Sequence, residues 1–295
     1  MKFLLVGGAR PNFMKIAPIS RSAESIKGLK CLILHTGQHY DYQMSQSFFE
    51  DLSIPEPNYF LEAGSGSHAA QTAKIMVAFE RVCEIERPEV VIVVGDVNST
   101  LACSIVSKKM GIKVAHVEAG LRSYDMEMPE EINRIVTDSI SDWYFVSEES
   151  GRRNLIKEGK NSEKIHFVGN VMIDNLFFQK KKLEMIDKRV IPTFEIKNKF
   201  EKYAFLTLHR PSNVDSKNNF DEIASVLNEI AEIIPILFPV HPRTLKNIQR
   251  HKIKMSDRIV KIPPLGFKEA LFLWKDAEIV LTDSGGLQEE TTALG

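Results

Sequence analysis

Five side chains between Glu89 and Asp138 have the types and the spacing to move protons: Asp96, Glu118, Glu130, Glu131 and Arg134. The apolar run Val90–Val94 stops at Gly95-Asp96, a second run, Val114–Val117, stops at Glu118-Ala119-Gly120, and Pro129 opens an acidic segment ending in Arg134. Carboxylates gathered at one place serve as general bases and acids, and a guanidinium beside them keeps an acid ionised or steadies a leaving anion. Each acid also has a plain reading. Asp96 can cap a helix, and Glu130 and Glu131 can complement the dipole of a helix begun by Pro129. Acids at separate neighbouring strand ends, with Arg134 one turn on, fit proton handling better than capping. No Asp-x-Asp pair and no His/Cys cluster suggests a metal, so none is expected.

A second group of residues suits an anionic ligand. In LTDSGGLQEE an apolar run ends at Asp283, and Ser284, Gly285 and Gly286 lead into a helix that carries Gln288, Glu289 and Glu290. Free N–H groups at such a helix start suit a diphosphate, although Ser284 as an ordinary N-cap accounts for the same pattern. GGARPNFMK places Arg10 and Lys15 after the first apolar run, two cations able to meet an anion. It lacks the P-loop spacing. Of the eight histidines, His209 and His241 each end an apolar run, and His209 beside Arg210 is the better candidate for acid/base or phosphate work. His35 and His116 read as packed within strands, and His39 fits either role. Gly64-Ser65-Gly66-Ser67-His68-Ala69 loosely matches a dinucleotide fingerprint, but the run before it, NYFLEA, is a poor central strand. A loop is the expectation, with no nicotinamide site and no other cofactor.

The elements that position these residues repeat one unit of strand, small turn and helix. Phe3–Val6, Leu29–His35 and Val90–Val94 are continuous apolar runs, the mark of a parallel sheet covered on both faces. Helical patterns follow near Phe13, Gln71 and Ser99, and further strands are expected at Trp143–Val146 and His166–Val168. From Phe177 to Lys202 charge is dense and periodicity weak, which reads as a passage between domains. AFLTLH, ILFPVH and EIVLTD then repeat the unit, with a helix from Phe220 to Ile234. The fold class is α/β, with two Rossmann-like domains expected at residues 1–170 and 171–295.

The chain has 295 residues, 43% of them hydrophobic, enough to bury a core in each of two domains. Lys+Arg 38 against Asp+Glu 39 leaves a net charge of -1, which gives no case for a nucleic-acid groove or an anionic membrane as partner. Cys31, Cys83 and Cys103 show no C-x-x-C spacing and sit in apolar patterns, as thiols of a reducing compartment do. The apolar start is too short for a signal peptide, and no run reaches the ~20 residues of a membrane span. A cytoplasmic location is expected.

Taken together, GARPNFMKIAP, HTGQHYDYQMS, GDVNST, HVEAGLRS, MPEEINR, LHRPSNVD, VHPRT and LTDSGGLQEE resemble the UDP-N-acetylglucosamine 2-epimerases of the non-hydrolysing type, in order and along the whole chain. The resemblance implies the two-domain glycosyltransferase B fold, a site between the domains, and a homodimer working on a UDP-sugar for polysaccharide biosynthesis. It implies reversible conversion of UDP-N-acetylglucosamine to UDP-N-acetylmannosamine through loss and re-addition of UDP by way of 2-acetamidoglucal. It assigns catalysis to Asp96, Glu118 and Glu130 with Arg134 beside them, and the leaving-group and nucleotide side to Arg10, Lys15, His209, Ser284, Gly285, Gly286 and Glu290. Which carboxylate takes the C2 proton stays open. So do a related UDP-acetamido sugar as substrate, a hydrolysing reaction, and a nucleotide-sugar-binding fragment without turnover. Members of the family continue past the position of Gly295, so an incomplete second domain is expected. Two departures stand out: PLGFKEA puts Ala270 where relatives carry an aromatic residue, with Phe267 as its expected substitute, and Ala70 precedes Gln71-Thr72 where activator-dependent relatives have arginine.

Overall fold

The computed structural model describes residues 1–37, 49 and 52–295, without the side chain of Arg10. His39 and its neighbours in QHYDYQMS lie outside the described residues. The chain divides into two compact units, Met1–Asn175 and Leu176–Gly295.

The first unit is built on strands β1 (Lys2–Gly7), β2 (Lys30–His35), β3 (Tyr59–Phe60), β4 (Val90–Val94), β5 (Lys113–Val117), β6 (Trp143–Val146) and β7 (Ile165–Phe167). They form one parallel sheet in the order β3-β2-β1-β4-β5-β6-β7. Between them run helices α1 (Arg10–Glu24), α2 (His68–Glu86), α3 (Asn98–Lys109), α4 (Pro129–Ile140), α5 (Glu149–Lys157) and, after β7, α6 (Val171–Glu184). Every residue of β4 is buried, as the unbroken VVIVV run requires of a central strand with helices on both faces. One core packs Leu4, Leu34, Val91 and Val93 of the strands against Ile75 and Phe79 of α2 and Ala102 and Cys103 of α3. Burial of a side chain such as Phe79, at 0% exposure, contributes roughly 1.5–3 kcal/mol.

The strand order reverses between β1 and β4, which are direct neighbours. Beyond the carboxyl ends of strands at such a reversal a parallel sheet leaves its ligand crevice. The Gly64–Ser67 loop belongs to a different strand end. It follows β3, an edge strand paired only through Leu34 and His35 of β2, and it ends in Ser67, whose hydroxyl caps α2.

The second unit repeats the wiring on a smaller scale. Strands β8 (Ala204–Thr207), β9 (Ile236–Pro239), β10 (Ile259–Ile262) and β11 (Ile279–Thr282) form a parallel sheet in the order β10-β9-β8-β11. Its longer helices are α7 (Lys217–Ile233), α8 (Pro242–His251), α9 (Phe267–Trp274) and α10 (Gly285–Leu294). Here the reversal falls between β8 and β11.

The passage expected from Phe177 to Lys202 is more ordered than its composition suggests. Helix α6 continues through it to Glu184, with Leu176 and Leu183 buried, and Ile191 is buried beyond. A short helix, Phe194–Lys197, follows, and the Lys197 ammonium donates to the Phe272 carbonyl at 2.7 Å and sits over the Phe272 ring. Apolar residues spaced two turns apart bury one stripe of α6, and the dense lysines between them mask that stripe in the sequence.

Candidate active site

The carboxyl ends of β4 and β5 bring two of the predicted acids to cationic partners. Helix α3 begins at Asn98 with Val97 as its N-cap, so Asp96 caps nothing. Its carboxylate instead accepts from the Arg134 guanidinium. The Lys15 ammonium, near the start of α1, pairs with the Glu118 carboxylate. Glu118 holds φ at 69°, a left-handed conformation that costs a non-glycine residue of order 1–3 kcal/mol and that collects at functional sites.

Helix α4 resolves the Glu130-Glu131 pair. Glu131 is fully buried, and its carboxylate accepts from the N–H groups of Ser123 at 2.9 Å and Tyr124 at 3.0 Å and from Arg134 at 2.9 Å. Burial pushes this acid up, but the Ser123 and Arg134 hydrogen bonds outweigh it and hold Glu131 below its ordinary range. Glu131 therefore braces Arg134 and the loop before α4. Glu130 is half-buried, with no ion pair among the described residues. Arg134 thus joins three points: α4, the Asp96 turn and, through Glu131, the 123–124 loop.

Two glycines make the turns possible. Gly95 has φ +67°, and an added Cβ would stand 3.4 Å from the Glu118 Oε2 and 3.5 Å from the Lys15 Nζ. Gly120 has φ +80°, and a Cβ there would fall 2.3 Å from the Gly151 carbonyl oxygen, a separation that excludes any other residue.

Several polar residues that the sequence did not single out complete this edge. The Asn12 Oδ1 accepts from Gly8 at 3.0 Å and Ala9 at 2.9 Å, while its Nδ2 donates to Val94 at 3.2 Å, tying the ends of β1 and β4 together. Asn133 donates to the Asp96 carbonyl at 2.8 Å. His116 is fully buried between Asp138 and the Gly95 carbonyl. One signal was available: on α4, Glu131, Arg134 and Asp138 fall on one helical face, where an ordinary surface helix would bury apolar residues. His35, by contrast, is packed between the rings of Phe13 and Phe60, each 4.7 Å away, and burial lowers it to about 4.

In the second unit Asp283, at the end of β11, organises the turn after β8. Its Oδ2 accepts from the N–H groups of His209 at 2.9 Å and Arg210 at 2.7 Å and from Asn213 at 3.1 Å, and the His209 ring stands 3.0 Å from Oδ1. The His209 backbone is thereby held at the reversal point of the sheet, with its half-exposed imidazole close to Oδ1 but not hydrogen-bonded to it. Ser284 N-caps α10, and the N–H groups of Gly285 and Gly286 have no acceptor among the described residues. Beside them lies a cavity of about 290 Å³ lined by Phe205, His209, Pro264, Leu265, Ala270 and Ser284, among others. Phe267 is not among its lining residues; it is half-buried at the start of α9. His241 also lines the cavity, but its ring caps α8 by accepting from the Arg243 N–H at 3.2 Å. Glu290, on α10, is buried at 6% exposure, and burial pushes its carboxyl up to about 7, with Glu289 adding to the effect.

No cluster of three or more potential metal-binding His, Cys, Asp or Glu side chains occurs among the described residues. No helix among them is long and apolar enough to cross a membrane.

The family model for UDP-N-acetylglucosamine 2-epimerase matches residues 21–295. A UDP-N-acetylglucosamine 2-epimerase homolog of Methanococcus maripaludis is 44% identical, over 100% of this chain and 82% of that protein. The UDP-2,3-diacetamido-2,3-dideoxy-D-glucuronate 2-epimerase of Pseudomonas aeruginosa is 40% identical, over 100% of this chain and 81% of that protein. The Methanocaldococcus jannaschii UDP-GlcNAc 2-epimerase, solved in complex with UDP-GlcNAc and UDP, superposes with a TM-score of 0.84 at 42% identity, covering 100% of this chain and 82% of that one. With a matched family model, relatives of this identity and the shared architecture of parallel sheets, the chain belongs to the UDP-N-acetylglucosamine 2-epimerase family.

Proposed function

We propose that this chain interconverts UDP-N-acetylglucosamine and UDP-N-acetylmannosamine without hydrolysis, with the first unit working on the sugar and the second holding UDP. The observation that carries the reading is the pairing of each strand-end acid with a cation, Asp96 with Arg134 and Glu118 with Lys15. Each cation fixes its carboxylate at the end of a strand, where a general base for C2 has to stand.

The substrate dictates the order of events. The C2 hydrogen of an acetamido sugar has no adjacent carbonyl to acidify it, so loss of the leaving group comes first. The C1–O bond breaks with its electron pair on the β-phosphate oxygen, and the cationic sugar that remains has an acidified C2–H. A carboxylate among Asp96, Glu118 and Glu130 takes that proton, giving 2-acetamidoglucal and UDP. Return of a proton to the opposite face of C2 and attack of the phosphate oxygen on C1 give the epimer. His209 and the free N–H groups of Gly285 and Gly286 bind and orient the diphosphate. Glu290 receives the ribose hydroxyls, and uracil and ribose fill the cavity beside Leu265 and Ala270. Three free thiols, two of them buried, fit a reducing, cytoplasmic setting.

A second reading is epimerisation of an anionic, more heavily substituted UDP-sugar. It draws on the 40% identical Pseudomonas relative and on a polar cavity of about 490 Å³ beside Arg134, lined also by Ser123, Ser150 and Arg153. A proton NMR time course in deuterated buffer separates the readings. With UDP-N-acetylglucosamine, deuterium at C2 and a retained UDP linkage are expected; free UDP as the main product would contradict the proposal. Exchange only with a diacetamido glucuronate substrate would establish the second reading, and UDP binding without exchange would make the chain a binding module.

A further inference from the structure

The pair formed by His116 and Asp138 is wholly buried, both residues at 0% exposure. The His116 Nδ1 lies 2.6 Å from the Asp138 Oδ1, and its Nε2 lies 2.8 Å from the Gly95 carbonyl oxygen. A carbonyl oxygen only accepts. The Asp138 Oδ2 receives the Gly120 N–H at 3.0 Å and the Arg122 guanidinium at 2.8 Å, so the carboxylate is ionised and also only accepts. A neutral imidazole has one N–H and would point a lone pair at one of these two oxygens, with no water to intervene. Placing the proton on Asp138 instead would set a neutral carboxyl against the Arg122 guanidinium. An imidazolium satisfies both contacts.

We propose that His116 is a positioning residue, held as a buried imidazolium that with Asp138 locks together the two turns carrying Asp96 and Glu118. Its Nε2–H grips Gly95, one residue before Asp96. Its partner Asp138 grips Gly120, two residues after Glu118. Asp138 also sits on α4, the helix whose Arg134 holds the Asp96 side chain. One charged pair thus sets the distance between two acids that come from different strands, which no apolar contact in the strands would do as directionally.

The groups facing the ring are Asp138 from α4, Glu118 from the end of β5 and, across Asp138, Arg122. Arg122 is itself tied to Glu158 at the end of α5 at 2.7 Å. On β6 the Tyr144 hydroxyl donates to the Asp138 carbonyl at 3.0 Å. Burial opposes the charge on His116, but Asp138, the Gly95 carbonyl and Glu118 outweigh it and raise its pKa.

Two measurements test this, and only the second rests on the epimerase reading. Long-range proton–nitrogen correlation spectra of the nitrogen-15-labelled full chain, from pH 6 to 9, should show both His116 nitrogens as protonated throughout. The signal is assigned by its loss in H116Q. A pyridine-type nitrogen at pH 7 would overturn the proposal. In kinetics, H116Q keeps an N–H for the Gly95 carbonyl but has no charge and no donor for Asp138. Its kcat should fall roughly 10²-fold, as misplacement of reacting groups by about 1 Å does, with KM changed less than about threefold. D138N frees the ring to lose its proton, so its kcat should decline as pH rises through neutrality, a limb that the parent lacks. Folded H116Q with the parent's kcat would overturn the positioning role; where H116Q does not fold, the nitrogen spectrum alone decides, assigned through the slow exchange of its N–H protons. Absence of epimerase activity in the parent would refute the proposed function and leave the spectroscopic result standing.

Discussion

Replacing Glu290 with Gln should stabilise the second unit at alkaline pH and leave it unchanged at acidic pH. Burial raises the Glu290 carboxyl from 4.5 to about 7, and no hydrogen bond or ion pair reaches it among the described residues. The sign follows from linkage. Below pH 4.5 the acid is protonated in both the native and the unfolded chain, and there is no cost. As pH rises from 4.5 to about 7 the unfolded chain loses the proton while the native chain keeps it, so stability falls. Above that range the loss is constant. At 1.36 kcal/mol for each tenfold change, the cost at pH 8 is roughly 3 kcal/mol as an order of magnitude. Gln carries no charge at either pH and keeps the size. Urea unfolding followed by the fluorescence of Trp274, buried in the second unit at 4% exposure, is the assay, in a background with Trp143 replaced by Phe. The variant should have the higher midpoint at pH 8 and match its parent at pH 4. Equal midpoints at both pH values would refute the reasoning. The same substitution should weaken UDP binding, because an amide replaces the carboxylate offered to the ribose hydroxyls.

D96N and E118Q should each lower C2 exchange about 10²- to 10⁴-fold while calorimetry finds UDP affinity nearly unchanged; lost UDP affinity with normal turnover would contradict the assigned roles. H209A should weaken both UDP binding, by roughly tenfold, and turnover, as read by titration and initial rates. D283N should loosen the turn held by three donors to Oδ2, raising KM for the UDP-sugar more than it lowers kcat. G95A should cost about 1–3 kcal/mol of stability through its positive φ and lower kcat as well, since the new Cβ crowds the Lys15–Glu118 pair, with thermal melts and rates as the readouts.

The architecture was legible where physics acts locally. Continuous apolar runs such as VVIVV announce buried parallel strands, and a glycine or acid after each announces the crevice end of the sheet. Asp96, Glu118, His209 and Ser284 were placed at strand ends that way. Partnerships were not legible, because they join distant parts of the chain. Lys15 and Glu118 are 103 residues apart, and Asp96 and Arg134 are 38 apart. The inward-facing member of the Glu130-Glu131 pair was also hidden, since both lie within one turn of Arg134, and only the loop N–H groups of Ser123 and Tyr124 decide for Glu131. His116 was masked by its setting: inside an apolar strand it looks like filler, and its function depends on an aspartate 22 residues later on a helix. Asp283 read as a strand end, and the structure makes it the clamp of the His209 turn.

The central claim is that the C1–O bond of the nucleotide sugar breaks and re-forms while C2 is inverted. UDP-N-acetylglucosamine labelled with oxygen-18 in the bridge between C1 and the β-phosphorus tests it directly. On cleavage the three terminal β-phosphate oxygens become equivalent. Phosphorus NMR should therefore show the label moving from the bridge into non-bridging positions as the epimer forms. Epimerisation with the label still wholly in the bridge would contradict the account.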